Sequence, residues 1–237
     1  MHPYVLISLL SSLAAGMLAG AIWARDSSNQ GNRLAATLLT CAAFWSLCDV
    51  LSNTADDATT ALEFVRWSCL GSLMVGPLAF HMLLTLEPKL RGRYGHFLRF
   101  AYGTGAVFAL LGVATPALWV GVIPTKWGWA GDVGIGVAIA WALVLPLPLA
   151  ALIEWYRLAD RTQAIDTWMG IAVGIPALIA TLTDFVLPFA HIASPRLGSA
   201  SLVAWGGSRS GRCTASAIRF SLPISSHARF SRRSPMA

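Results

Sequence analysis

Charge is what this chain has least of. Charged side chains make up 12% of the 237 residues, against 56% hydrophobic ones. Soluble domains carry about 25% charged residues, so a soluble globular class is excluded first. Lysine is nearly absent. Lys89 and Lys126 are the only two, and both fall between apolar runs. A retinal Schiff base needs a lysine within the bundle, so a rhodopsin-like photoreceptor is excluded. A bis-histidine haem needs two intramembrane histidines, and only His81 lies inside an apolar run. The cysteines Cys41, Cys48, Cys69 and Cys213 lack metal-ligand spacing and read as packing residues. No GxSxG, HExxH, P-loop or kinase-type nucleotide motif is present, so neither catalysis nor a cofactor or metal is expected. The runs also lack period-2 alternation, which excludes a transmembrane β-barrel.

What remains is apolar length. A membrane-spanning helix needs roughly 20 mainly apolar residues. Six segments qualify: Pro3–Trp23, Leu34–Leu51, Ala61–Leu86, Phe97–Val120, Val133–Ile153 and Trp168–Leu187. The predicted fold is all-α, a polytopic membrane bundle of six clear transmembrane helices plus a weak seventh. Ala19-Gly20-Ala21 resembles a signal-peptide cleavage site. However, the preceding region has no Lys or Arg and the apolar run is long, so the first span is expected to stay.

Arginine alternates between the connecting loops. Arg25 and Arg33 follow the first span, Lys89, Arg91, Arg93 and Arg99 the third, and Arg157 and Arg161 the fifth. The even-numbered loops carry little beyond Asp56, Asp57, Lys126 and Arg196. The positive-inside rule then puts the odd loops in the cytoplasm and the N-terminus outside. The basic balance is explained by topology, so no nucleic-acid partner is expected. The short loops predict antiparallel neighbours, with Asn29-Gln30-Gly31-Asn32 as a turn and Pro88 stopping the third helix. Pro77, Pro146, Pro148 and Pro176 are expected to kink their spans. Gly16, Gly20, Gly103 and Gly105 are expected to allow close helix approach. Trp23, Trp119, Trp127, Trp129, Trp155, Tyr156 and Trp168 sit where an aromatic belt belongs.

Ionisable groups at membrane depth are costly, and they mark candidate function. Trp45, Asp49 and Asn53 recur every four residues and share a helix face. Glu63 and Arg66 open the third helix and can pair. Asp132 starts the fifth helix, and Asp184 lies near the outer end of the sixth. With Trp127 and Trp129 in an outer loop, these residues gather at the outer third of the membrane. The candidate ligand site is therefore Trp45, Asp49, Arg66, Trp127, Trp129, Asp132 and Asp184. Carboxylates, an arginine and indoles around one mouth suit a small amphipathic or cationic ligand. Taken singly, each reads as a solvated helix end or a local pair. His81, about 8 Å from the inner helix end, is a candidate pH-sensitive group or a hydrogen-bonded structural histidine.

Three stretches resemble the seven-transmembrane sensor region at the N-terminus of many bacterial histidine kinases. They are Phe44-Trp45-Ser46-Leu47, the Arg66-Trp67…Gly71…Pro77 stretch, and Thr183-Asp184-Phe185-Val186-Leu187-Pro188 followed by Pro195-Arg196-Leu197-Gly198-Ser199. The similarity covers about residues 3–205. The resemblance implies a bacterial inner-membrane bundle of seven helices, N-outside and C-inside. It also implies an input module that passes a signal to cytoplasmic PAS, kinase or cyclase modules. Expected partners are the lipid bilayer, an unidentified small ligand, and a cytoplasmic signalling partner or a second copy as a homodimer.

Two departures qualify the resemblance. A seventh helix beginning near Leu202 would carry Arg209 and Arg212 into the bilayer, at about 2.5–3.5 kcal/mol each on insertion scales. From residue 206 onward the chain turns rich in serine and arginine, and no phosphoacceptor histidine or ATP site follows. A poorly ordered tail, and a truncated or frameshifted end to a longer sensor, are the expectations there. The competing readings are a small-solute transporter component, which would show inverted repeats and broken helices, and a structural membrane subunit.

Overall fold

The computed structural model describes residues 2–158 together with Thr183, Asp184 and Leu187. Apolar runs fold as long helices here, and the first three each start at a side-chain cap. Helix α1 spans Pro3–Arg25, with His2 accepting the Tyr4 N–H and proline in its first turn. Asp26 and Ser28 then turn the chain. Asn29 caps α2 (Gln30–Thr54) through the Asn32 N–H. The predicted turn at Asn29–Asn32 is thus the cap and first turn of α2, because the Asn29 side chain satisfies the exposed helix N–H. Asp57 caps α3 (Ala58–Leu86), its Oδ1 accepting from the N–H groups of Thr59 and Thr60 at 2.9 Å each. Pro88 begins a short helix, α4 (Pro88–Tyr94), and a single 3₁₀ turn leads into α5 (Leu98–Ala114).

The next segment departs from an all-α fold. Trp119–Thr125 (β1) and Gly128–Val133 (β2) form an antiparallel hairpin with Thr125 opposite Gly128. The fourth predicted span therefore ends at Ala114, and Asp132 lies in a strand instead of starting a helix. Alternating valine, isoleucine and tryptophan around a glycine of positive φ satisfy strand geometry once a neighbouring helix end covers one face. Helices α6 (Ile135–Val144) and α7 (Pro146–Leu158) complete the described fold. They are one helical run interrupted at Pro146, where the missing N–H removes a backbone bond. By contrast, Pro77 lies inside α3 without ending it.

Among the described residues, five helical stretches are long and apolar enough to cross a membrane, and they mark this as a membrane protein. The predicted count of six is not supported. The sixth segment lies outside the described residues except for Thr183, Asp184 and Leu187, as do the seventh helix, Pro176, Trp168, Cys213 and the tail. Outward-facing Leu10, Leu13, Met17, Leu110 and Ile135 fit a bundle whose periphery meets lipid.

Helix α3 is the axis of the bundle, packing against α2, α5, α7 and the hairpin. One core cluster joins Val65, Cys69 and Leu73 of α3 to Ala109, Trp119, Val137 and Ala140. A second joins Phe80, Leu83 and Leu84 to Leu90, Ala101, Ala151 and Trp155. Trp119 and Trp155 are therefore core residues and not belt residues. Trp119 donates its indole N–H to Cys69 Sγ at 3.0 Å, whereas Trp23 stays exposed. Of the glycines expected to bring helices together, only Gly105 does so. A Cβ there would meet Pro77 Cγ at 2.9 Å, while Gly16, Gly20 and Gly103 face open space. Gly71 has the tightest approach between two helices, with the Cys41 carbonyl oxygen 2.5 Å from where its Cβ would stand.

Candidate functional site

Four segments distant in sequence meet at one end of the bundle. Tyr4 enters from the start of α1, Asp49, Ser52 and Asn53 from the end of α2, Val65 from the first half of α3, and Trp127, Trp129 and Ala130 from the hairpin. These residues line a cavity of about 10 Å³, which accommodates roughly one water-sized occupant. Antiparallel packing produces the meeting, because it brings the N-terminus of α1, the α2–α3 turn and the α5–α6 connection to the same end.

The hairpin is pinned over the α2 terminus by specific bonds. The Trp129 backbone N–H donates to Asn53 Oδ1 at 3.2 Å, and its indole N–H donates to the Ala55 carbonyl at 3.0 Å. Asn53 in turn donates from Nδ2 to the Asp49 carbonyl at 2.7 Å. Gly128 makes the seat. Its φ is +129°, and a Cβ there would stand 2.6 Å from the Asn53 carbonyl oxygen.

Asp49 is only 2% exposed and lines the cavity, where a carboxylate depends on the polar contacts around it. Ser52, also 2% exposed, has a hydroxyl with no hydrogen-bond partner. A buried hydroxyl left so costs about 1–3 kcal/mol. Ser52 lies three residues after Asp49, on the same face of α2.

The residues singled out from sequence divide clearly. Asp49, Trp127 and Trp129 line the cavity. Trp45 is buried one turn below, against Gly71 of α3. Asp132 is half-buried in β2 opposite Gly121 and does not line the cavity. Arg66 is half-buried, its Nε enclosed without a hydrogen-bond partner, and it forms no ion pair with the exposed Glu63. The local pair expected at that spacing is absent because Glu63 points to solvent. Asp184 is buried, accepts from Thr183 Oγ1 at 2.7 Å and is not among the residues that line the cavity. Tyr4 and Ser52 were missed. Ser52 was recoverable from its spacing to Asp49, whereas Tyr4 needed the α1–α2 packing.

His81 sits toward the opposite end and is not part of this site. The Gln30 amide nitrogen lies 3.2 Å from Nε2, and the Tyr102 hydroxyl 3.1 Å from Nδ1. With Gln30 donating, the ring proton rests on Nδ1 and donates to Tyr102, so one imidazole joins α2, α3 and α5. That end also carries an ion cluster unforeseen from sequence. Glu154 of α7 accepts from Arg93 of α4 and from Arg157, each at 3.2 Å. Among the described residues, no three His, Cys, Asp or Glu side chains gather as a metal centre.

No protein-family model matches the chain, and neither a curated protein nor a solved structure does.

Proposed function

We propose that this chain is the membrane-embedded input module of a two-component-type signalling system, without catalytic activity of its own. It sits in the bacterial inner membrane with its N-terminus outside. A stimulus acts at the hairpin-capped end, and the signal leaves through the arginine-rich end to a cytoplasmic partner or a second copy. One observation carries the reading: a buried carboxylate, an unpartnered buried hydroxyl and two indoles converge beneath a hairpin at the end remote from the Arg93–Glu154–Arg157 cluster. A structural subunit has no need of buried polar groups beneath a pinned cap. The likeness of Phe44-Trp45-Ser46-Leu47 and Arg66-Trp67…Gly71…Pro77 to histidine-kinase sensor regions points the same way.

The helical run interrupted at Pro146 favours a second reading, a small-solute transporter component, because transporters place sites at broken helices. The cavity lies at the bundle end and not at that break, which ranks this reading second. A photo-crosslinker at Arg157 in native membranes separates the two. The expected adduct is a protein carrying a PAS, kinase or cyclase module. Adducts with permease subunits alone, or none at all, would sink the sensor reading.

A further inference from the structure

The end of the bundle opposite the hairpin exposes cations and covers its carboxylates. Lys89, Arg91 and Arg93 stand on α4 and Arg99 lies in the first turn of α5, and all four are exposed. Arg157 of α7 joins them through Glu154, which accepts from Arg93 and Arg157 at 3.2 Å each. The Glu154 side chain is 20% exposed, against 66% and 69% for its two arginines. Glu87 accepts the Lys89 backbone N–H. Among the described residues, Arg91 and Arg99 form no ion pair. Such a surface attracts an anionic partner. The apolar neighbours of the cations decide which kind. Phe97 and Phe100 flank Arg99 and are 40% and 50% exposed. From there α5 runs on as an apolar span whose Val107 and Leu110 also face outward. Exposed rings at the start of a membrane span sit at headgroup level. An arginine among them lays its stem along acyl chains and reaches the phosphates with its guanidinium. An acidic protein would instead need the cations clear of the apolar rings.

We propose that α4 and the start of α5 form a binding surface for anionic phospholipid headgroups, with Arg91 and Arg99 as the free donors to phosphate. Guanidinium groups bind phosphate through paired, charge-assisted hydrogen bonds. Phe97 and Phe100 enter the acyl boundary beside them. Leu90 of α4 is 1% exposed and belongs to the core cluster with Phe80, Leu83 and Leu84 of α3 and Ala151 and Trp155 of α7. Bound lipid therefore holds α4 on the seam between α3 and α7, and the charge of the leaflet sets how firmly. The proposal requires only that the chain spans a membrane. It uses neither the orientation nor the signalling role proposed above.

The test is lipid retention by the purified full-length chain, so its failure leaves the crosslinking experiment untouched. The chain in detergent is mixed with equimolar phosphatidylglycerol and phosphatidylcholine, and the lipid that co-elutes on gel filtration is quantified. Phosphatidylglycerol should be retained over phosphatidylcholine by at least about fivefold, the effect of one basic residue at an anionic surface. About 0.5 M NaCl should erase most of that preference by screening. Equal retention of the two lipids by the wild-type chain would overturn the proposal, as would a preference indifferent to salt. Arg91→Gln combined with Arg99→Gln should lower the preference at least about threefold. Lys126→Gln, in the hairpin, should leave it unchanged. An equal fall in both variants would reduce the effect to net charge and refute the site. Excess glycerol phosphate carries the phosphate without acyl chains and should not displace the lipid. Displacement would assign the arginines a soluble phosphate instead. Retention of polyglutamate without any preference between the lipids would assign them an acidic protein, and it too overturns the proposal.

Discussion

At the scale of single residues, short polar side chains at the turns do the local work. Asp26 accepts from the Ser28 hydroxyl and from two backbone N–H groups, and the hydroxyl bond foremost holds its carboxyl below the ordinary range. Asp57 is held below its ordinary value of 3.8, first by the Thr60 backbone N–H and then by the Thr60 hydroxyl. Those bonds favour the charged carboxylate. A depressed folded-state pKa contributes stability that is fully present above the unfolded value and is lost as pH falls through the folded one. Asp57→Ala should therefore lower the unfolding midpoint at neutral pH, and the gap to wild type should close below pH 3.8. A gap that persists unchanged in acid would contradict the capping role. Deeper in the bundle, the His81–Tyr102 bond should show as coupling in a double-mutant cycle of His81→Phe and Tyr102→Phe. About 0.6–1.7 kcal/mol is expected for a bond between membrane helices, and strict additivity of the two losses would refute it.

Elements pack here through a few close approaches, and glycine motifs are a poor guide to them. Gly71 stands where α2 and α3 meet backbone to side chain. Gly71→Ala would push a methyl to 2.5 Å from the Cys41 carbonyl and should destabilise by about 1–3 kcal/mol. Gly16→Ala meets nothing within 4 Å and should be neutral, or stabilising by up to about 1 kcal/mol through helix propensity. Paired thermal unfolding of the two variants checks the order, and a larger loss at Gly16 would mean that α1 packs on another surface. The hairpin follows the same logic. Gly128 combines a positive φ with contact to Asn53, so beside Trp129 it is a position at which the cap touches α2.

For the whole molecule, alternation of helix direction sorts chemistry to the two ends. Tyr4, Asp49, Asn53 and the hairpin share one end, while the Arg93–Glu154–Arg157 cluster holds α4 to α7 at the other. The proposed orientation puts the hairpin outside. A single cysteine at Lys126, on an otherwise cysteine-free chain, should react with an impermeant maleimide in intact cells. One at Arg91 should react only after lysis. The reverse pattern would invert the assignment and move the proposed input site to the cytoplasm.

Hydropathy and capping are sums over neighbouring residues, so they were legible in the chain alone. The first three spans emerged within a few residues of their ends, as did the sharing of one end by Asp49, Trp127 and Trp129 and the inward face of Trp45, Asp49 and Asn53. The fourth span was drawn past Ala114 to Val120, and the segment between it and the fifth span was read as an outer loop, not as a hairpin. Its strand pairing depends on a surface provided by α2 and α3. Which glycines touch, which tryptophans enter the core and where Arg66 and Asp132 point also depend on partners tens of residues away. The cavity depends on the same packing. Ser52 and Tyr4 lie 48 residues apart in the chain, and only the packing of α1 on α2 under the hairpin brings them to one cavity.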